Sequence, residues 1–361
     1  MISARGMARA AVVAAAMVML AVGGAAFGQT HAPWPTDWNN WSDPALWVTV
    51  GNPGNAGELS GSGAGGWGGD RICGAVGYSF NMGKYEVTAG QYTAFLNAVA
   101  KTDTYGLYNT SMDTAVSQYG CNIKRAGSAG NYTYSVASDW ANRPVNCVSW
   151  GDSARFANWL THGQPTGAQN GSTTEDGSYY LDGAISPAAL MSVVRKSPEQ
   201  GGRYYIPTED EWYKAAYHKN DGVTGNYWDY PTASNSVPSN DLVSPDPGNN
   251  ANFAVSWPGD LTIGSPYYRT EVGEFENSES PYGTFDQGGN VWEWYDGDNR
   301  LVRGGSFQPG YDTLHAASRN DYDIYPTDEN SIIGFRVVEV PEPATLSLLA
   351  VGGLLALRRR R

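Results

Sequence analysis

The sequence predicts a single irregular α+β domain with little regular secondary structure. Two observations carry that prediction. Only three amphipathic helix signals stand out, and 45 Gly and 20 Pro commit much of the chain to turns and ordered coil. Hydrophobic residues at 41%, with 13 Trp and 23 Tyr, still supply a large core, so the chain is neither disordered nor a short stapled scaffold.

The first helix starts at Thr88-Ala89-Gly90-Gln91, where the Thr hydroxyl and the Gln amide can each satisfy an otherwise unpaired terminal N–H. Tyr92, Phe95, Leu96 and Val99 then follow at helical spacing and form one apolar stripe. Ser149 heads a second helix, with Asp152 favouring the dipole and Phe156, Trp159 and Leu160 on the inner face. Thr208-Glu209-Asp210-Glu211 repeats the capping pattern after Pro207, with Trp212, Ala215 and Ala216 facing inward. The three adjacent carboxylates sit in a first turn that favours acids, so they read as helix electrostatics and not as an acid/base pair. Short strands are expected at 78–87, 301–307 and 332–338. The Gly-rich stretch 51–77 contains Gly61-Ser62-Gly63-Ala64-Gly65-Gly66, which satisfies a dinucleotide-binding pattern but lacks the strand before and helix after it, and so reads as surface loop.

Both ends read as addresses. Met1 to Arg9 carries two cations, Ala10 to Ala26 is small and apolar, and Ala26-Phe27-Gly28 resembles a signal-peptidase site, giving a signal peptide over 1–28. A transmembrane anchor fits less well, because the run is Ala-rich and ends in small residues. At the other end, Pro341-Glu342-Pro343 precedes an apolar run from Ala344 to Leu357 and four arginines. That run reaches roughly 21 Å as a helix, short of about 30 Å of hydrocarbon. The order of these parts in 340–361 resembles the PEP-CTERM tail of Gram-negative bacteria. The resemblance implies export, processing by an exosortase, and transient anchoring at the envelope; retention of the tail is the alternative. Without the two ends, the body carries 35 acids against 17 bases. Such a charge repels phosphate backbones, argues against nucleic acid and makes divalent cations plausible partners. Cys73, Cys121 and Cys147 are too widely spaced for a zinc knuckle and allow at most one disulfide, in any of three pairings.

Six blocks then occur in order: KYEVTAGQYTAFL (84–96), RPVNCVSWGDSARFANWL (143–160), YYIPTEDEWYKAA (204–216), YGTFDQGGNVWEW (282–294), VRGGSF (302–307) and IGFRV (333–337). They resemble the formylglycine-generating enzyme, or sulfatase-modifying factor, family over residues 80–339, leaving 29–79 as a Gly-rich N-terminal segment. The resemblance implies a C-type-lectin-like α+β fold. It also implies oxidation of a sulfatase cysteine by molecular oxygen at copper(I) held by two thiolates, the soft ligands that ion requires. In the family those cysteines lie between the GGS and GFR blocks, and here 308–333 contains none, with His315 as its one imidazole. Copper and formylglycine generation are therefore not expected. Relatives with non-heme iron use a histidine pair in a separate helical domain, whereas His31, His162, His218 and His315 stand apart.

The resemblance also implies structural calcium. One site would use the Asp286 and Glu293 side chains with the Gly289 and Val291 carbonyls, and a second would use Asn252, the Phe253 carbonyl, Asp260 and the Thr262 carbonyl. A mixed oxygen shell suits calcium. The alternative is that Asp286 and Glu293 cap a turn and pair with Arg303 or Arg319. The leading expectation is an exported, non-oxidative binding module for a glycan or peptide, with a groove around Trp292, Ser306, Tyr311, His315, Arg319 and Tyr322. A metal-dependent oxidoreductase with a rearranged site and a structural surface or matrix component are the alternatives.

Overall fold

A computed structural model describes residues 37–256, 259–308, 310–319 and 324–341. The two terminal addresses and Tyr322 fall outside the described residues, apart from Val340 and Pro341. In chain order the strands and helices are β1 (Trp47–Val50), β2 (Glu58–Ser60), β3 (Arg71–Cys73), β4 (Phe80–Gly83), α1 (Ala89–Val99), β5 (Lys124–Ala126), β6 (Thr133–Ser135), α2 (Ser138–Ala141), α3 (Trp150–Thr161), α4 (Pro187–Met191), β7 (Tyr204–Tyr205), α5 (Glu209–Tyr217), β8 (Trp292–Trp294), β9 (Val302–Arg303), β10 (Ile333–Gly334) and β11 (Val338–Glu339).

All three expected helices form where their caps place them. Gln91 N–H donates to Thr88 Oγ1 at 3.2 Å while Thr88 N–H donates to Gln91 Oε1 at 2.9 Å, closing the box on α1. The α5 box closes in the same way through Thr208 and Glu211. On α3, Asp152 is more than a dipole partner: its Oδ2 takes the Ser149 N–H at 2.9 Å, completing a box with aspartate in the glutamate position. Two further short helices, α2 and α4, carry no long apolar stripe that would have announced them.

The strands are shorter than expected, and glycine explains one case. After Val302-Arg303 the chain enters Gly304 and Gly305 with φ of +98° and +77°, which ends β9. A Cβ at Gly304 would lie 2.4 Å from the Gln287 carbonyl oxygen, so a side chain there would drive apart β9 and the turn before β8. The main sheet has the order β1-β4-β11-β7, antiparallel throughout, so Trp47–Val50 of the N-terminal segment is its edge strand. A second sheet, β10-β8-β9, pairs Glu293 with Arg303 and Gly334 with Glu293. The Gly61–Gly66 stretch lies between antiparallel β2 and β3, where 62–65 are exposed around one 3-10 turn and Gly61 and Gly66 pack against Ala317.

Helices α1 and α3 pack against the sheets through Tyr92, Phe95, Phe156 and Phe335, all buried, with Phe156 within 5.2 to 6.2 Å of the other three rings. Such edge and offset contacts add roughly 0.5–1.5 kcal/mol per pair beyond the area removed from water. This aromatic centre fixes α3 and the 333–337 segment relative to each other, and thereby positions the clefts described next.

Candidate functional site

The GGNVWEW turn folds around an acidic centre. Asp286 and Asn290 adopt left-handed φ values of +59° and +55°, and Gly289 packs so tightly on Asn252 that a Cβ would lie 2.2 Å from its carbonyl oxygen. The tight turn leaves Asp286 half-buried, and its Oδ2 accepts the Gly273 N–H at 2.5 Å. Burial nevertheless pushes its carboxyl up to about 7.

Glu293, from β8, has no exposed side-chain surface, and Arg336 meets it bidentately at 2.5 and 2.6 Å. Trp212 Nε1 donates to Oε2 of the same carboxylate at 2.7 Å. Its ion partner is thus Arg336, whereas Arg303 and Arg319 both meet Glu209. Glu86, absent from the expected ligand sets, is the anomaly: it is 1% exposed, and its side-chain oxygens have no hydrogen-bond partner beyond its own backbone N–H. Burial first, and then the charges of Asp286 and Glu293, push its carboxyl far above the usual range. The only sequence signal for it was its place inside the first block.

Among the described residues, no three His, Cys, Asp or Glu side chains gather closely enough to hold a metal by themselves. A calcium ion here would need main-chain carbonyls, as the expected set with Gly289 and Val291 provides. Uncompensated buried carboxylates fit a hard cation. In the second expected set, Asn252 and Phe253 are buried and Thr262 lies beside them, its hydroxyl donating to the Phe253 carbonyl at 3.1 Å. Asp260 instead stands exposed on a turn at φ +50°.

A cleft of about 630 Å³ opens beside the same turn, lined by Trp292, Asn109, Thr327, Asp328, Glu329 and Asn330 among others. Glu329 accepts a hydrogen bond from Asn109 Nδ2 and lies within hydrogen-bonding reach of Asp152, the α3 capping residue. Burial raises both carboxyls: Glu329, with the charge of Asp152 adding to the effect, to about 8, and Asp152, against its Ser149 hydrogen bonds and Arg155, to about 6. Two such acids hold one proton between them near neutrality. Sequence reasoning missed Asn109 and Glu329, which carry no local pattern, and saw Asp152 only as a cap.

The other expected groove residues lie apart from this cleft. Ser306 is fully buried, and its Oγ accepts the Gln308 N–H at 3.2 Å. Tyr311 is exposed, and His315 lies against Tyr230 with its Nδ1 accepting the Ala317 N–H. Arg319 borders a different cavity of about 430 Å³ and is tied to Glu209 at 2.8 and 3.0 Å. Tyr322 lies outside the described residues.

The three cysteines are buried free thiols. Cys73 sits by Arg303, with Nη2 to Sγ at 3.4 Å. Cys121 and Cys147 lie together behind the cleft. The Cys121 thiol is 4.0 Å from the Asn146 carbonyl oxygen, and the Cys147 N–H donates to the Asn330 carbonyl at 3.1 Å.

Among solved structures the chain is similar to CarF (21% identity, TM-score 0.41, covering 82% of this chain and 98% of that one), Treponema denticola variable protein 1 (18%, 0.46, 82% and 95%) and PvdO from Pseudomonas aeruginosa (18%, 0.44, 82% and 94%). No curated protein matches the chain. The PEP-CTERM protein-sorting motif matches residues 339–361, which indicates export toward the cell envelope through exosortase-type sorting machinery. The sulfatase-modifying factor enzyme 1-like domain matches residues 75–340, spanning all six blocks, the acidic centre and the cleft. With most of its length inside that match, the chain belongs to the sulfatase-modifying factor enzyme 1-like family.

Proposed function

We propose that this protein is a non-oxidative, calcium-stabilised binding module of its family, delivered to the envelope of a Gram-negative bacterium and anchored there transiently by its tail. The cleft beside Trp292 carries the reading. Its polar lining consists of carboxyl, amide and hydroxyl groups from Asn109, Thr327, Asp328, Glu329 and Asn330, a set suited to hydrogen-bonding a glycan or an extended peptide against an indole wall. The copper-binding thiolates of formylglycine generation have no counterpart in 308–333. Calcium would be held by buried oxygens of the GGNVWEW turn and would supply structural rigidity there, one wall of the cleft being Trp292 of the same segment.

The test is a glycan and peptide array probed with the purified protein, followed by titration of the best hit. Binding that Trp292→Ala and Glu329→Gln weaken at least about tenfold supports the reading; binding indifferent to both moves the site elsewhere.

One observation favours the oxidoreductase alternative: Cys121 and Cys147 are neighbours, and fully buried Arg269 beside them makes its hydrogen bonds to the Tyr119 and Gly120 carbonyls at 2.8 Å, with Nε unpartnered. Stoichiometric copper in the purified protein, with oxygen consumption in the presence of a thiol, would select that alternative.

A further inference from the structure

We propose that Cys121 and Cys147 are joined by a disulfide in the exported protein, and that Cys73 stays a thiol. The sequence leaves three pairings open, and the fold sets one cysteine apart from the other two. Cys73, on β3, belongs to a cluster with Trp212, Tyr213 and Tyr217 of α5, and its charged neighbours are Arg303, Glu209 and Arg71. Cys121 and Cys147 both lie in the main core, have no exposed surface, and share Arg269 as their cationic neighbour.

The backbone brings the pair together. Cys121 Sγ lies 4.0 Å from the Asn146 carbonyl oxygen, and one planar peptide joins that carbonyl to Cys147. The Cys121 sulfur is therefore within about 7 Å of the Cys147 Cα. That is the scale of a disulfide, whose two Cα atoms stand about 4.4–6.8 Å apart. The peptide between them is fixed: Asn146 Nδ2 donates to the Tyr119 carbonyl at 2.7 Å and also to the Ser331 carbonyl, while Cys147 N–H donates to the Asn330 carbonyl at 3.1 Å. Cys147 itself sits at φ +58°, a conformation that glycine or asparagine adopts more readily, so a thiol is kept there against the backbone preference.

The destination supplies the oxidant. The sorting motif over 339–361 indicates export, and outside the cytosol thiols meet disulfide oxidants. One thiolate attacks a sulfur of such an oxidant, and the second thiolate then attacks the mixed disulfide. The S–S bond formed here is matched by one broken in the oxidant, which leaves as a dithiol with the two electrons and two protons. In the finished fold burial raises both thiols, so the exchange belongs to the stage before the core closes, and the folded product is shielded from reductants. The link closes a loop that carries β5, β6 and α2, and ties it to the segment that presents Asn330 at the cleft.

The experiment maps thiols in the full chain recovered from the envelope fraction of an exporting host. The protein is unfolded in an alkylating agent without reductant, digested, and read by mass spectrometry. The expected result is alkylation of Cys73 alone, with the Cys121 and Cys147 peptides found joined and two hydrogens lighter than their sum; after reduction all three cysteines take the label. In Cys121→Ala, both Cys147 and Cys73 should be labelled without reduction. Three labelled cysteines in the unreduced wild type overturn the proposal, as does a link that includes Cys73 in either protein. If Cys121→Ala does not fold, the wild-type map decides alone.

Discussion

Two acidic regions of the molecule handle buried carboxylates in opposite ways. Around Glu209, at the start of α5, Arg303, Arg319 and Arg71 converge at 2.8 to 3.0 Å, and Arg71 also reaches Asp210. Burial works against ionisation there, but Arg303, then Arg319 and Arg71, hold the Glu209 carboxyl down to about 2. Around Asp286 and Glu86 a single guanidinium is spent on Glu293, and the remaining acids are pushed up. A carboxylate supplied with its cations by the chain specifies structure. One left without them leaves room for a cation, a proton or a ligand from outside.

The sharpest way to break this comparison is to remove the one guanidinium of the acidic centre. Arg336 and Glu293 are both fully inaccessible, so Arg336→Ala strands an acid already surrounded by acids and should cost about 3–5 kcal/mol in urea unfolding. Calcium should recover part of that loss. A cost below about 1 kcal/mol would mean that the centre is already protonated and electrically silent.

Next comes Glu209→Gln, which leaves Arg303, 1% exposed, without its anion and should cost about 2–4 kcal/mol. The pH dependence has a definite sign. Because the folded-state value is depressed, the Glu209 contribution is fully present above the ordinary value of 4.5 and is lost as pH falls toward about 2. Acid unfolding of the wild type should be steeper than that of the variant over this range, and identical acid limbs would remove Glu209 from the account.

The contrast between the two regions also explains how much of the molecule could be read in advance. Helix starts were legible because a cap is local: Thr88 and Gln91, or Thr208 and Glu211, lie three residues apart and complete their bonds within one turn. The six blocks, and with them the family and the α+β architecture, were legible as ordered patterns. The site's electrostatics were not, because they join distant segments. Arg336 Nη1 bonds a carbonyl 253 residues earlier, and Glu329 meets Asn109 across 220 residues. Glu293 could be nominated as a ligand from the family resemblance, but only the fold reveals that Arg336 and Trp212 also meet it. Strand lengths were overestimated because the apolar pattern continues through Gly304-Gly305, where left-handed backbone ends pairing.

The cleft pair Asp152–Glu329 offers a milder probe, since among the described residues neither carboxyl forms an ion pair, and the guanidinium acting on Asp152, Arg155, is bonded to Glu175. Both folded-state values are raised, so the protonated pair contributes stability that is fully present below about pH 4 and is lost as pH rises through about 6 and then about 8. The slope is at most about 1.4 kcal/mol per pH unit for one proton, and smaller because Glu329 borders solvent. Urea unfolding of Glu329→Gln between pH 5 and 9 should therefore be flatter than that of the wild type. Stability that climbs with pH in the wild type would contradict a shared proton.

The smallest effect belongs to the outer arm of the Glu209 network. The Arg71 side chain is 39% exposed and Asp210 is 27% exposed, so solvent screens their 2.8 Å contact even though its geometry is good. A double-mutant cycle of Arg71→Ala and Asp210→Ala should give a coupling of about 0.5–1 kcal/mol that shrinks in 0.5 M salt. Arg303, enclosed on the same glutamate, should respond little to that salt, because ions that cannot enter cannot screen. A coupling near 3 kcal/mol for the exposed pair would mean that accessibility is not what separates its two arms, and that the network acts as one cooperative unit including Gly74, whose N–H also binds Asp210 at 2.9 Å.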